Sequence, residues 1–241
     1  MDNTLLYHTD SYMREFSAKI VGTDPESHAI LLDQTAFFPG GGGQLYDTGH
    51  FIINDEVVEV IRAKNSPKGI IHEIDRNVPL PKSGTPLKGI LDWDRRYQLM
   101  RTHTAMHILC GVIFRDFQAL VTGGDMEPLK GRMDFEFESL TGDLVKVIEE
   151  SVNHEVAASH PVKISILPRV EAFQIPDLIR TKINLLPEHI SSIRTVEIVG
   201  LDLQADGGTH VNNTSEVGTM HVVDYKSKGK INKRLYIELD P

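Results

Sequence analysis

The sequence predicts an α+β chain in two parts: a small all-β unit of the barrel type over residues 1–92, and a mixed unit of helices and strands over residues 93–241. Three observations carry this. Short alternating apolar runs fill roughly the first ninety residues, each bounded by Gly, Pro, Asn or Asp. A long stretch with helical apolar spacing begins at Asp94. Beyond it, segments of period 2 and period 3.6 follow one another without repeats or low-complexity sequence.

In the first part SAKIVGTD, HAILLDQTAFF, GHFIIND, EVVEVIRAK, KGIIHEI and TPLKGILDW each span about a strand's length, which is the pattern of a small barrel. The texture then changes. RRYQLMRTHTAMHILCGVIFRDF holds neither Gly nor Pro until Gly111, and Ala105, Ile108, Leu109, Val112 and Ile113 fall on one helical stripe, so a helix is expected over residues 94–117. GRMDFEFE alternates as a strand. TGDLVKVIEESVNHEVAASH returns to helical spacing through Leu144, Val147, Ile148, Val152 and Val156. PVKISILP reads as a strand ended by Pro168, PDLIRTKI as a short helix, and TVEIVGLDLQ, TMHVVDY and KRLYIEL as closing strands. A sheet with helices on one face is the expected arrangement.

Composition narrows the class. With 40% hydrophobic and 24% charged residues the chain is of ordinary globular type, and 241 residues are enough to bury a core without cross-links. The single cysteine, Cys110, excludes an intramolecular disulfide and fits a reducing compartment. No run approaches the roughly 20 apolar residues of a spanning helix, and no signal pattern opens the chain, so a cytoplasmic location is expected. A net charge of -9 argues against a general nucleic-acid binder. Basic residues do cluster locally, as Arg95, Arg96 and Arg101 and again in KSKGKINKR near the C-terminus, which is compatible with one oriented RNA contact or with a solvated charged hairpin.

Two residue pairs point to metal chemistry. His103 and His107 are four apart on the expected helix; at roughly 100° per residue the second imidazole returns to within about 40° of the first. Two imidazoles on one helical face can share an ion. Asp206 and His210 have the same gap in ADGGTH, where Gly207 and Gly208 let the backbone turn tightly enough for two side chains to converge. Cys110, three residues after His107, is an alternative sulfur ligand or a buried space-filler.

DWDRRYQLMRTHTAMHIL, VTGGDMEPLKGRMDFEFE and ADGGTHVNNTSEVG resemble the three core segments of the alanyl-tRNA editing domain, which occurs inside alanyl-tRNA synthetases and as freestanding AlaX proteins. DQTAFFPGGGGQLYDTG resembles the glycine-rich segment of the β-barrel that precedes that domain, and the likeness extends over nearly the whole chain, as in the medium-length AlaX class. The resemblance implies a translation-factor-like β-barrel followed by an α+β editing domain like that of alanyl- and threonyl-tRNA synthetases. It also implies hydrolysis of tRNA(Ala) wrongly charged with serine, and sometimes glycine.

The family's zinc pattern of HxxxH plus CxxxH falls on His103, His107, position 206 and His210, one Zn2+ per chain. From the same resemblance Gln44 is expected to face the editing cleft, and Thr35, nine residues earlier, is the candidate to meet the serine hydroxyl; these two are the expected catalytic residues. Gly41, Gly42, Gly43 and Thr209 are expected to bind substrate, the partner being the acceptor end of tRNA(Ala).

Position 206 departs from the family pattern, being Asp in place of Cys. Aspartate is an accepted zinc ligand of equal formal charge, with a bond of about 2.0–2.2 Å against about 2.3 Å for thiolate. Asp206 therefore either ligates directly, or hydrogen-bonds a ligand histidine while water completes the site, or marks a lost site. Two other readings follow: a non-catalytic tRNA-binding protein with a degenerate site, and a metallohydrolase of small molecules.

Overall fold

A computed structural model describes residues 4–181 and 190–241, and the chain divides into two compact units after Gln98. In the first unit the strands are β1 (Thr4–Leu5), β2 (Glu15–Asp24), β3 (Ala29–Leu32), β4 (Gln34–Thr35), β5 (Gly49–Ile53), β6 (Glu56–Ser66), β7 (Gly69–Ile74) and β8 (Pro86–Leu91). Six of them close a barrel in the order β2-β3-β7-β6-β5-β8, and β1 pairs with β4 in parallel beside it. Alternation decides which face turns inward. Along β2, Phe16, Ala18 and Ile20 are buried while Glu15, Ser17 and Lys19 are exposed. Phe37, Phe51, Ile30, Leu32 and Ile74 complete the core, and closure leaves the barrel strands without unpaired edges.

One buried ion pair pins the two ends of the glycine-rich segment. Arg96 is fully buried and donates from Nε to both carboxylate oxygens of Asp47 at 3.0 Å, with a further short bond from Nη2. Its remaining donors reach the carbonyls of Ser11 (2.9 Å) and Ala36 (2.5 Å), and Asp47 also accepts the Phe38 N–H at 2.6 Å. Residues 36–38 and 47 are thus clamped on either side of Gly40 to Gly43. Between them Gly41 and Gln44 exchange two backbone hydrogen bonds of 3.0 Å, and Gly42 and Gly43 carry φ of 60° and 90°, the signature of a narrow hairpin turn that side-chain-bearing residues disfavour.

The helix α1 (Trp93–Phe117) matches the expected one, and the boundary between units falls within it. In the second unit the elements are β9 (Val121–Glu127), β10 (Lys130–Glu136), α2 (Gly142–Ala157), β11 (Val162–Pro168), α3 (Arg169–Ala172), β12 (Ser192–Ile198), β13 (Asp202–Ala205), β14 (Met220–Ser227) and β15 (Asn232–Leu239). They form two antiparallel sheets, β14-β15-β10-β9 and β11-β12-β13, in place of the single sheet expected. From Thr102 to Ile113 every residue of α1 is buried, so the helix is covered on all sides. A Cβ on Gly124 or Gly131 would come within 3.2 or 3.0 Å of Met106, and one on Gly111 within 3.0 Å of Leu201 and Asp202. The glycines let both sheets approach the helix. Thr141 caps α2 by accepting the Leu144 N–H at 3.3 Å, and α2 lies against β14.

Two further expectations need correction. PDLIRTKI is not helical over residues 176–181, its last two residues lying outside the described set; the short helix is α3, just before it, with Pro168 at its N-cap, and it ends at Ala172. TVEIVGLDLQ is two strands, β12 and β13, folded back at Gly200 (φ 83°). Among the described residues no helix is long and apolar enough to cross a membrane.

The buried ion pair yields a stability prediction. Asp47→Ala leaves a buried guanidinium uncompensated and should lower the unfolding free energy by about 3–5 kcal/mol, whereas Asp47→Leu combined with Arg96→Met should recover most of the loss. Urea unfolding of the three proteins checks it.

Candidate metal centre

His103 and His107 project from consecutive turns of the buried stretch of α1, and Asp206 and His210 come from the loop after β13. The ligand atoms of these four residues all lie within 4.8 Å of one another. The His103 and His210 rings stack with centroids 4.1 Å apart, and His107 meets them edge-on at 5.1 and 4.8 Å. Three imidazole nitrogens and one carboxylate oxygen are a donor set that suits zinc, so the residues present fit the ion.

The loop holds its carboxylate in a definite way. Asp206 Oδ2 accepts the Gly208 N–H at 2.6 Å and lies 3.0 Å from His210 Nε2, while Oδ1 lies 3.5 Å from His103 Nε2. Arg194, buried on β12, donates from Nη1 to the Asp206 carbonyl at 2.9 Å and stands 3.7 Å from Oδ2. His210 Nδ1 lies 3.2 Å from Thr104 Oγ1, which also accepts the Val211 N–H. With Nδ1 engaged, His210 turns Nε2 toward the cluster. His107 Nδ1 likewise faces Asp202 Oδ2 at 3.4 Å.

Burial and mutual charge set the protonation of the group. Desolvation lowers His103 well below the ordinary imidazole value, aided by the neighbouring His210, and lowers His210 to about 4 against the pull of Asp206. Desolvation also acts downward on His107, but the hydrogen bond to Asp202 and the charges of Asp206 and Asp202 outweigh it and raise that group. For Asp206 burial pushes upward, yet the surrounding imidazoles hold it well below the usual carboxylate range. At neutral pH the site presents an anionic carboxylate and at least two neutral imidazoles. That is the ionisation state metal binding requires.

The other residues singled out from sequence are placed as follows. Thr209 is buried between Gly208 and His210. Thr35, Gly41, Gly42, Gly43 and Gln44 belong to the first unit. Gly41 and Gly42 are exposed, whereas Gln44 is buried. Thr35 is fully buried beside His72, whose Nε2 lies 2.8 Å from Thr35 Oγ1 while Nδ1 faces the Ile30 carbonyl at 3.4 Å. Since Nδ1 must donate to that carbonyl, the threonine hydroxyl donates to Nε2, and its oxygen accepts the Phe37 N–H at 3.1 Å. Desolvation, against the bond to Ile30, lowers His72 to about 4, so this arrangement is neutral.

Cys110 is not among the four clustered residues: it is buried, burial pushes its thiol upward, and its Sγ accepts a hydrogen bond from Gln204 Nε2 at 3.3 Å. The arginines that suggested an RNA contact are occupied within the fold. Arg95 donates to the Tyr46 carbonyl, Arg96 is the buried clamp, and Arg101 donates to the carbonyls of Val217 and Asp240. Lys233 folds onto the carbonyls of Gly229 and Lys230, Arg234 pairs with Asp134 and the exposed Lys226 with Asp224, while Lys228 and Lys230 are exposed toward the tip of the β14–β15 hairpin. Asp202, Arg194 and Thr104 were not anticipated. Only Asp202 had a signal, its period-2 spacing with Gln204 and Asp206 in DLQAD.

Residues 193–236, which include Arg194, Asp206 and His210, match the family model described as the second additional domain of threonyl and alanyl tRNA synthetases, and residues 9–95 match that of class II (A) tRNA synthetases. The chain is 41% identical over 241 residues to the alanyl-tRNA editing protein AlaX-M of Saccharolobus solfataricus, with 98% of each chain covered. It is 37% identical over 241 residues to the protein of that name from Methanosarcina acetivorans, again with 98% of each covered. The alanine–tRNA ligase of Ignicoccus hospitalis is 36% identical over 224 residues, which are 90% of this chain and 24% of that protein. The chain belongs to the alanyl-tRNA editing protein family of the AlaX-M type.

Proposed function

We propose that this protein is an aminoacyl-tRNA deacylase that acts in trans on mischarged tRNA(Ala), mainly seryl-tRNA(Ala) and also glycyl-tRNA(Ala). The observation that carries the proposal is the convergence of His103, His107, Asp206 and His210 in a chain of this family. These four residues would hold one Zn2+ per chain, and the first unit is taken as a translation-factor-like barrel. When bound, the ion supplies Lewis acidity for ester hydrolysis.

The reaction adds water across the ester. The bond from the acyl carbon to the ribose oxygen breaks, the amino acid leaves with the hydroxyl, and the terminal ribose of the tRNA regains its proton. Selectivity follows from hydrogen bonding. A pocket built for alanine rejects the extra hydroxyl of serine by only about 10²-fold, but a site that hydrogen-bonds that hydroxyl disfavours an analogue lacking it by about 10⁴-fold or more, because its own polar groups would be left unpaired.

Gln44, Thr35 and Thr209 are the polar residues assigned to this task, with Gly41, Gly42 and Gly43 allowing close approach of the terminal nucleotide. Because the Thr35 hydroxyl already donates to His72, its part would be to accept a hydrogen bond from the serine hydroxyl with its remaining lone pair.

Purified protein should carry about one zinc per chain. His103→Ala and His210→Ala should lose the metal and reduce hydrolysis of seryl-tRNA(Ala) to the uncatalysed rate, read by metal analysis and release of labelled serine; full turnover by metal-free protein would refute the role of the ion. Asp206→Cys should keep one zinc with higher affinity, because the softer sulfur favours that ion. Lys228→Glu with Lys230→Glu should weaken tRNA binding and flatten its salt dependence by about 0.7–0.9 in slope per lost phosphate contact. An unchanged slope would make the hairpin tip a solvated surface only.

A further inference from the structure

We infer that Asp202 is a positioning residue for the metal centre: its carboxylate, fixed on its far side by Arg180, holds the His107 ring so that Nε2 points at His103, Asp206 and His210. The inference rests on the metal reading above and names residues outside the four ligands.

The chain of contacts is continuous and buried. Asp202 is 5% exposed at the start of β13. Its Oδ2 lies 3.4 Å from His107 Nδ1 and accepts the Gln204 side-chain amide at 2.6 Å. Its Oδ1 accepts from Arg180 Nε at 3.3 Å, and the Arg180 guanidinium lies 3.8 Å over the Phe114 ring of α1. Tight packing of Gly111 against Asp202 leaves little room for the carboxylate to move toward the helix.

A carboxylate facing Nδ1 selects the tautomer with the proton on Nδ1 and leaves the Nε2 lone pair for an ion; such partners fix ring orientation and raise ligand basicity. Without it the imidazole can rotate about its side-chain bonds or exchange its proton to Nε2, and either change removes a donor from the cluster. Thr104 gives His210 a weaker partner of the same kind, through a neutral hydroxyl. Arg180 and Asp202 compensate each other's charge, so the device adds no net charge beside the ion.

The test uses the full-length chain as wild type, Asp202→Ala, the isosteric Asp202→Asn and Arg180→Gln. Zinc affinity is read by competition with a chromophoric chelator, and the His107 tautomer by nitrogen-15 NMR on chelator-treated protein in alkaline buffer. Asp202→Ala should lose about 10–100-fold in zinc affinity and shift His107 away from the Nδ1–H tautomer, with Asp202→Asn retaining more of both because its amide oxygen still accepts from Nδ1, and Arg180→Gln moving in the same direction by less.

Should Asp202→Ala fail to fold, the two conservative variants carry the same comparison. Wild-type zinc affinity and an unchanged tautomer in the Asp202 variants would overturn the inference. The metal reading fails separately, if wild type and His103→Ala bind zinc alike, and the tautomer measurement on metal-free protein stands independently of that result.

Discussion

The second unit is organised around the burial of one carboxylate among three imidazoles. A charge taken out of water is retained only if hydrogen bonds and opposite charges replace the lost hydration. Asp206 receives the Gly208 N–H, the nearby His210 ring and, at 3.7 Å, the guanidinium of Arg194. Asp202 receives Arg180, Gln204 and His107. Two buried acid–arginine pairs therefore flank the cluster, one behind the loop and one behind the helix. Their placement requires β12 and β13 to lie beside α1, and the small Gly111 makes that approach possible.

The basic residues near the first histidine pair each make hydrogen bonds within the fold. Arg96 is enclosed in the first unit, where it fixes residues on both sides of the glycine turn, and Arg101 ties α1 to the segments ending at Val217 and Asp240. Clustering in sequence placed these side chains on one helix turn after another. Each then takes a separate contact, Arg96 fully buried and Arg95 and Arg101 partly exposed. The exposed lysines of the C-terminal cluster are Lys226, ion-paired with Asp224, and Lys228 and Lys230, a small patch on an acidic chain.

Much of the fold was legible because one period dominated each segment. Phe16, Ala18 and Ile20 alternate with exposed Glu15, Ser17 and Lys19, and the barrel strands follow. The strand β9 went unread because VTGGDME carries two glycines where alternation would otherwise show, and one of them, Gly124, is small to admit Met106 of α1. That is a tertiary demand with no local signal. The short helix was placed after Pro176 when it follows Pro168, since both prolines carry the same starting cue.

At the site, equal four-residue gaps on a helix and on a glycine-rich loop made the ligand pairs visible; nothing local announced that Arg194 and Thr104 would support them. The two compact units divide after Gln98, and Arg96 in the first turn of α1 binds Asp47 of the first unit.

Aspartate at position 206 changes how the loop can hold its ligand. A carboxylate has two oxygens, and here they are divided: Oδ2 is tethered to the Gly208 N–H while Oδ1 faces His103. Oδ2, the anchored atom, also lies 3.0 Å from His210 Nε2, so each oxygen faces an imidazole of the cluster. A thiolate would have to accept the backbone hydrogen bond and bind the ion through one sulfur. The 2.6 Å charge-assisted hydrogen bond from Gly208 holds Oδ2 in place. Gly208 thus serves a second purpose beyond allowing the turn, because its N–H fixes the orientation of the carboxylate before any ion arrives.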